Sequence, residues 1–192
     1  KSGVLPTFAA DVTLPLRHVA VGRMYRVRVR MLDNTDLWGH WSEPVEFVAG
    51  DPLAPIPALE ALRVTELMYN PREAGDFEFV ELQNVGGQTL DLRDVRFTAG
   101  IQFDFAESDV TSLSPGAMVV LVRNLDAFER RYDTTGMLIA GEYGGRLDDD
   151  GDHLTLTYGA SFTILDFTYQ DVWYPLTDGQ GLSLNIADVY AA

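Results

Sequence analysis

Hydrophobic and polar positions alternate with a period of two through much of this chain. Residues 24–32, MYRVRVRML, send Tyr25, Val27, Val29 and Met31 one way and Arg26, Arg28 and Arg30 the other, the pattern of a half-buried strand with a solvated arginine face. A turn-rich stretch, DNTDLWGHWS, follows at residues 33–42, and residues 44–48 resume the pattern with Val45 and Phe47 around Glu46. Residues 13–17 are predicted as the strand before this pair. Farther on, LRVTELMY (residues 62–69) and FEFVEL (residues 77–82) alternate, with Asn70 and Pro71 closing the first in a turn. Residues 95–105, 118–123, 153–158, 162–169 and 181–186 are further predicted strands, most of them separated by glycine, proline or aspartate turn signals. One helix is predicted, over residues 125–132: Asn124 is a fitting N-cap, and Leu125, Phe128 and Tyr132 fall on one face. Short strands at this spacing argue an all-β sandwich or barrel.

Composition divides the chain. Residues 1–50 carry six basic and five acidic groups, a net of +1, whereas residues 51–192 carry eight basic and 24 acidic ones, a net of -16, so the whole of the net charge of -15 comes from the second part. Between the two parts runs DPLAPIPALEA, residues 51–61, whose three prolines fix φ and remove amide donors. It is predicted to be a semi-rigid linker that joins no helix or central strand. The excess of negative charge repels phosphate backbones and anionic lipid, which disfavours nucleic acid and membrane surfaces as partners. No run of about 18 apolar residues is present to span a membrane. Cysteine is absent, which excludes disulfides, zinc fingers, iron-sulfur sites and cysteine nucleophiles. Residues 1–6 lack the charged head and apolar stretch of a signal peptide, so a mature or excised fragment is expected.

Two resemblances rest on particular residues. Gly22, Tyr25, Val27 and Val29, then Trp38, Trp41, Ser42 and Phe47, resemble the last three strands of a fibronectin type III module. Only residues 1–50 are covered, roughly half of such a module, and the apolar face of three strands is left needing a cover. The remainder resembles the lamin tail domain. That resemblance lies in RVTELMYNP (residues 63–71), FEFVELQN (77–84), LDLRDVRF (90–97), LSPGAMVVLVRN (113–124) and LDDDGDHLTL (147–156). It continues through Asp166, Tyr169, Asp171, Trp173, Pro175, Asp178, Gly179, Gly181, Ser183 and Leu184. The resemblance implies an immunoglobulin-like β-sandwich over residues 62–192. It also implies a non-catalytic adhesion, interaction or spacer module of a larger secreted or cell-surface bacterial protein. Partners would then be other domains of the same polypeptide and a protein or glycan. The alternative is a carbohydrate-binding or calcium-dependent accessory region of a larger secreted enzyme.

The candidate chemistry is sparse. Asp148, Asp149, Asp150 and Asp152 crowd around Gly151, and Asp148, Asp150 and Asp152 are the residues that would collect oxygen ligands for calcium, the one cofactor the sequence suggests. The EF-hand pattern is not met, because Thr157 stands where its glutamate belongs. The other reading of this stretch is a hydrated turn joining two strands. Glu66, Glu78 and Glu81 could do acid and base work, but Glu78 and Glu81 have opposite parity in one strand. His18, His40 and His153 are scattered, and GEYGGR, residues 141–146, lacks the lysine and hydroxyl of a P-loop. Trp38, Trp41 and Trp173, with Tyr169 and Tyr174, are expected to pack in cores, with sugar or peptide contact as the alternative. No catalytic residue is expected.

Overall fold

The computed structural model describes residues 5–190 apart from Pro6, Phe8, Ala10 and Ala74, so most of the opening stretch read for a leader lies outside the described residues. In chain order the strands among the described residues begin with a hairpin, β1 (Met24–Val27) and β2 (Val45–Val48). After it come β3 (Leu62–Met68), β4 (Phe79–Asn84), β5 (Leu90–Asp91), β6 (Val95–Ala99), β7 (Ile101–Asp104), β8 (Ser112–Leu113) and β9 (Met118–Val122). The last are β10 (Ile139–Glu142), β11 (Gly144–Gly145), β12 (His153–Tyr158), β13 (Phe162–Thr168) and β14 (Leu184–Asn185). Two helices, α1 (Pro57–Ala61) and α2 (Leu125–Arg131), interrupt them. Strands dominate and most neighbours are antiparallel. One five-stranded sheet has the order β10-β9-β4-β3-β14, with β10 and β9 parallel, and a second has the order β11-β7-β6-β12-β13. Short pairs β5-β8 and β1-β2 complete the set.

A single hydrophobic cluster draws from both large sheets. Leu67, Val80, Leu82, Val119 and Leu121 come from the first, and Val95, Phe97, Ile101, Leu154 and Leu156 from the second. The register of β3 against β4 shifts between Val64 and Glu66. Strict alternation would put Val64 and Leu67 on opposite faces, but the extra residue, Thr65, flips the parity, so that Val64 and Leu67 both pack on the cluster. The other face of the first sheet carries Met68, Phe79, Val120 and Val122, covered by Phe128, Leu125 and Tyr132 of the α2 region. That helix starts where the sequence placed it, with the Asn124 side chain accepting the Ala127 amide at 2.9 Å.

Other expectations are corrected. Residues 13–17 form no strand, and Leu16–His18 is a 3-10 turn instead. The predicted strand over residues 95–105 is a tight hairpin, because Gly100 adopts φ +77° between β6 and β7. Within the predicted linker, Pro57 sits in the first turn of α1, where its missing amide costs nothing. Ala58 and Ala61 are buried against the body, so this half of the segment is anchored. The N-terminal part touches the body at the turn joining β12 and β13. There Ala160 N–H donates to the Leu16 carbonyl at 3.0 Å and Val21 N–H donates to Ser161 Oγ at 2.8 Å. No helix among the described residues is long and apolar enough to cross a membrane.

Candidate functional site

At the opposite end of β12 and β13, two tyrosines leave their strands and enter the interior. Tyr69 follows β3 and Tyr169 follows β13; both are fully buried, with ring centroids 4.9 Å apart. Burial of a phenol demands a partner for its hydroxyl. Tyr169 donates to the Asp148 carbonyl at 2.8 Å, and Tyr69 shares a 2.9 Å hydrogen bond with Thr177. Tyr169 N–H also donates to the Asp152 carbonyl at 3.1 Å. The turn at 148–152 is thereby locked onto the backbone at Tyr169, and the closeness of the two explains Gly151. Its φ is +123°, and a Cβ there would stand 2.6 Å from the Tyr169 carbonyl oxygen. The acidic turn and the late aromatic group, read as separate features of the sequence, are therefore one structure.

Between the buried anchors Tyr169 and Thr177 the chain stands out from the body. Thr177 N–H and its hydroxyl both donate to the Tyr174 carbonyl at 2.8 Å, and Trp173 N–H donates to the Gln170 carbonyl at 3.2 Å. Next to this loop, Asn70 donates to Asp178 Oδ1 at 2.7 Å and Gly179 N–H to the Asn70 carbonyl at 3.1 Å. Held in this way, the loop exposes Val172 (69%), Trp173 (48%), Tyr174 (60%) and Leu176 (63%). Core packing was expected for Trp38, Trp41 and Trp173. All three tryptophans are instead exposed, because each belongs to a loop or hairpin that no second layer among the described residues covers.

The surroundings of the loop are acidic. Burial raises the Tyr69 hydroxyl above its ordinary pKa, and the charges of Asp178, Asp171 and Asp149 push the same way. The Tyr169 hydroxyl is raised by burial first, then by Asp152, Asp148 and Glu78. Glu78 lies beneath, on the inward face with Val80 and Leu82, only 3% exposed. Its Oε2 accepts the Tyr143 hydroxyl at 3.0 Å and the Leu147 amide at 2.8 Å. Burial pushes its carboxyl above the ordinary value, and these two bonds and the Arg123 charge oppose that push. The signal for this buried carboxylate was in the sequence as shared parity with Val80 and Leu82. Nothing in the sequence connected it to Tyr143 or to the residue before Asp148.

The remaining candidates stay apart. Asp148 Oδ1 accepts the Asp150 amide at 3.1 Å, and Asp152 Oδ1 accepts the His153 amide at 2.7 Å, so two of the three expected calcium ligands serve the turn itself. Among the described residues no group of three or more histidines, aspartates or glutamates is gathered to share a metal ion. Glu66 and Glu81 face each other across β3 and β4, held by hydroxyls of Ser183 and Thr65 respectively, away from Glu78. His153 pairs with Asp166 at the surface, His18 ends the first 3-10 turn, and His40 lies in the exposed stretch before β2. Gly144 and Gly145 of the glycine-rich stretch form β11. A depression of about 470 Å³ lies elsewhere, between β7 and β10, beside Arg96, Phe103 and Glu107. Two of its carboxylates are spent locally: Asp104 accepts the Ala106 amide and Glu142 the Leu125 amide. Set against family models, curated proteins and solved structures, the chain matches none.

Proposed function

We propose that this chain is a non-catalytic interaction module of a larger secreted or cell-surface bacterial protein. In this reading residues 62–192 are an immunoglobulin-like β-sandwich of the lamin tail kind. Residues 1–50 are the latter part of a fibronectin type III module, and residues 51–61 join the two. The observation that carries the functional half is the loop between Tyr169 and Thr177, which is fixed at both ends yet turns four large apolar side chains outward. Exposed apolar patches on a rigid frame mark contact surfaces, because their cost in water is recovered only on binding. Two sheets sharing one hydrophobic cluster support the sandwich assignment, and motif order along residues 62–186 supports the family one.

A second reading, a carbohydrate-binding accessory region of a larger enzyme, is favoured by the open ring faces of Trp173 and Tyr174, which suit stacking on sugars. An array of protein and neutral glycan ligands, probed with and without calcium, tests both. Saturable binding that Trp173→Ala abolishes is expected. Absence of saturable binding to every ligand, or chemical conversion of a bound one, overturns the module reading.

A further inference from the structure

We infer that the loop 171–176 is the docking surface for an arginine-bearing peptide segment of a partner protein; this rests on the interaction-module reading and names the partner's chemistry. The apolar centre is Val172, Trp173, Tyr174 and Leu176, and Asp171 and Asp178 flank it. The loop needs little ordering on binding, since Tyr169 and Thr177 already anchor its ends, and a preorganised surface keeps more of its contact energy.

Charge selects the occupant. Asp148, Asp149, Asp152, Asp171 and Asp178 all act on the two buried tyrosines beneath the loop. The one basic side chain paired with any of them among the described residues, Arg146, stands 3.8 Å from Asp148 and is exposed. A purely apolar partner would strip water from these carboxylates without replacing it, which is costly. An anionic partner would be repelled. A guanidinium meets both demands, because its flat face stacks on an aromatic ring while its edge pairs with a carboxylate.

The chain itself displays this chemistry at its other end. Arg30 lies 4.2 Å above the Trp38 ring and 4.6 Å above that of Trp41, and Arg28 lies 4.8 Å above Trp41. Those half-exposed tryptophans are covered by arginines. Among the described residues no arginine stands over Trp173 or Tyr174, whose exposure is similar or greater. The position that arginine fills on the hairpin is open on the loop.

The test immobilises the peptide Gly-Arg-Gly-Arg-Gly, with lysine and glutamate versions, on a biosensor and titrates the whole chain over it. The arginine peptide should bind, the lysine version about five- to tenfold more weakly because it loses stacking, and the glutamate version not at all. Raising salt should weaken binding, and Trp173→Ala and Asp171→Asn should each weaken it about five- to tenfold. Both positions lie outside the core, so an unchanged Tm confirms that the variants are folded. Equal binding of the arginine and glutamate peptides, full binding by Trp173→Ala, or no binding of the arginine peptide overturns the inference. Self-association abolished by Trp173→Ala would assign the loop to a second copy, and glycan binding there without peptide binding would assign it to sugar; either also overturns it. If the peptide fails while the ligand array still shows saturable binding, this inference falls and the module reading stands.

Discussion

Strands β1 and β4 are written in nearly the same pattern, yet their apolar side chains meet opposite fates. In β4, Val80 and Leu82 are fully buried. Around β1, Val29 and Met31 are each 60% exposed, and Val45 of the paired strand is 65% exposed. Tyr25 stacks on Phe47 across the hairpin, so the pair is locally well made. What differs is the layer opposite. The second five-stranded sheet lies over β4, whereas nothing among the described residues lies over the Tyr25–Met31 face. Alternation therefore specifies a strand with two unlike faces, and only a second layer turns one of them into a core.

The sharpest way to break this comparison is to substitute an apolar side chain on each side of it. Leu82→Ala should cost about 2–5 kcal/mol, the range for a fully buried leucine that leaves a cavity. Val29→Thr should stay within about 0.5 kcal/mol, as for exposed positions generally. Urea unfolding followed by circular dichroism measures both, and a Val29 effect approaching that of Leu82 would mean the hairpin face is covered in solution.

A smaller effect is expected where a loop meets the body. Gly151→Ala must hold alanine at φ +123° and press its Cβ toward the Tyr169 carbonyl, so a loss of about 1–3 kcal/mol is expected. The same variant should raise hydrogen-exchange rates at the Tyr169 amide, whose acceptor is the Asp152 carbonyl. The Leu82 amide, in the core of the first sheet, should change by no more than the loss in global stability, whereas the Tyr169 amide should change by more. Equal exchange at Tyr169 in both proteins would show that the turn is not what pins the loop.

The smallest effect concerns Glu78, the polar member of the inward face. Burial raises its folded-state pKa above the ordinary 4.5, so the folded protein holds that proton more tightly than the unfolded chain does. The stability this confers is complete below the unfolded value and is lost as pH rises through the folded one. Glu78→Gln cannot ionise and keeps one oxygen for Tyr143 and Leu147. Its Tm relative to the parent should therefore climb with pH across that window and then level off. A difference that stays flat from about pH 4 to about pH 8 would show that the carboxyl titrates alike in both states.

How much was legible follows from the range of the interactions involved. The start of α2 needed only Asn124 and the apolar residues Leu125, Phe128 and Tyr132, and it was read correctly; the β6–β7 break, missed by the single strand predicted over residues 95–105, needed only Gly100. The Thr65 bulge was hidden, because either parity of LRVTELMY offers apolar residues to a core. Helix α1 was masked by the three prolines of residues 51–61, although Pro57 sits where a helix tolerates one. The exposure of Trp173 was likewise hidden: aromatic residues are usually buried, and among the described residues no layer covers this one.

By itself, then, the sequence determined that the chain is built of strands, that its acidity lies after residue 50, and that a carboxylate-rich turn precedes β12, because all of these depend on neighbours in the chain. The tertiary structure decided which alternating faces became core. It also joined Asp148 to Tyr169 and Thr177 to Tyr69, the latter across 108 residues, and so held an aromatic loop over an acidic base. Those outcomes depend on which surfaces meet in space, and a period of two is the same whether or not a second sheet is waiting.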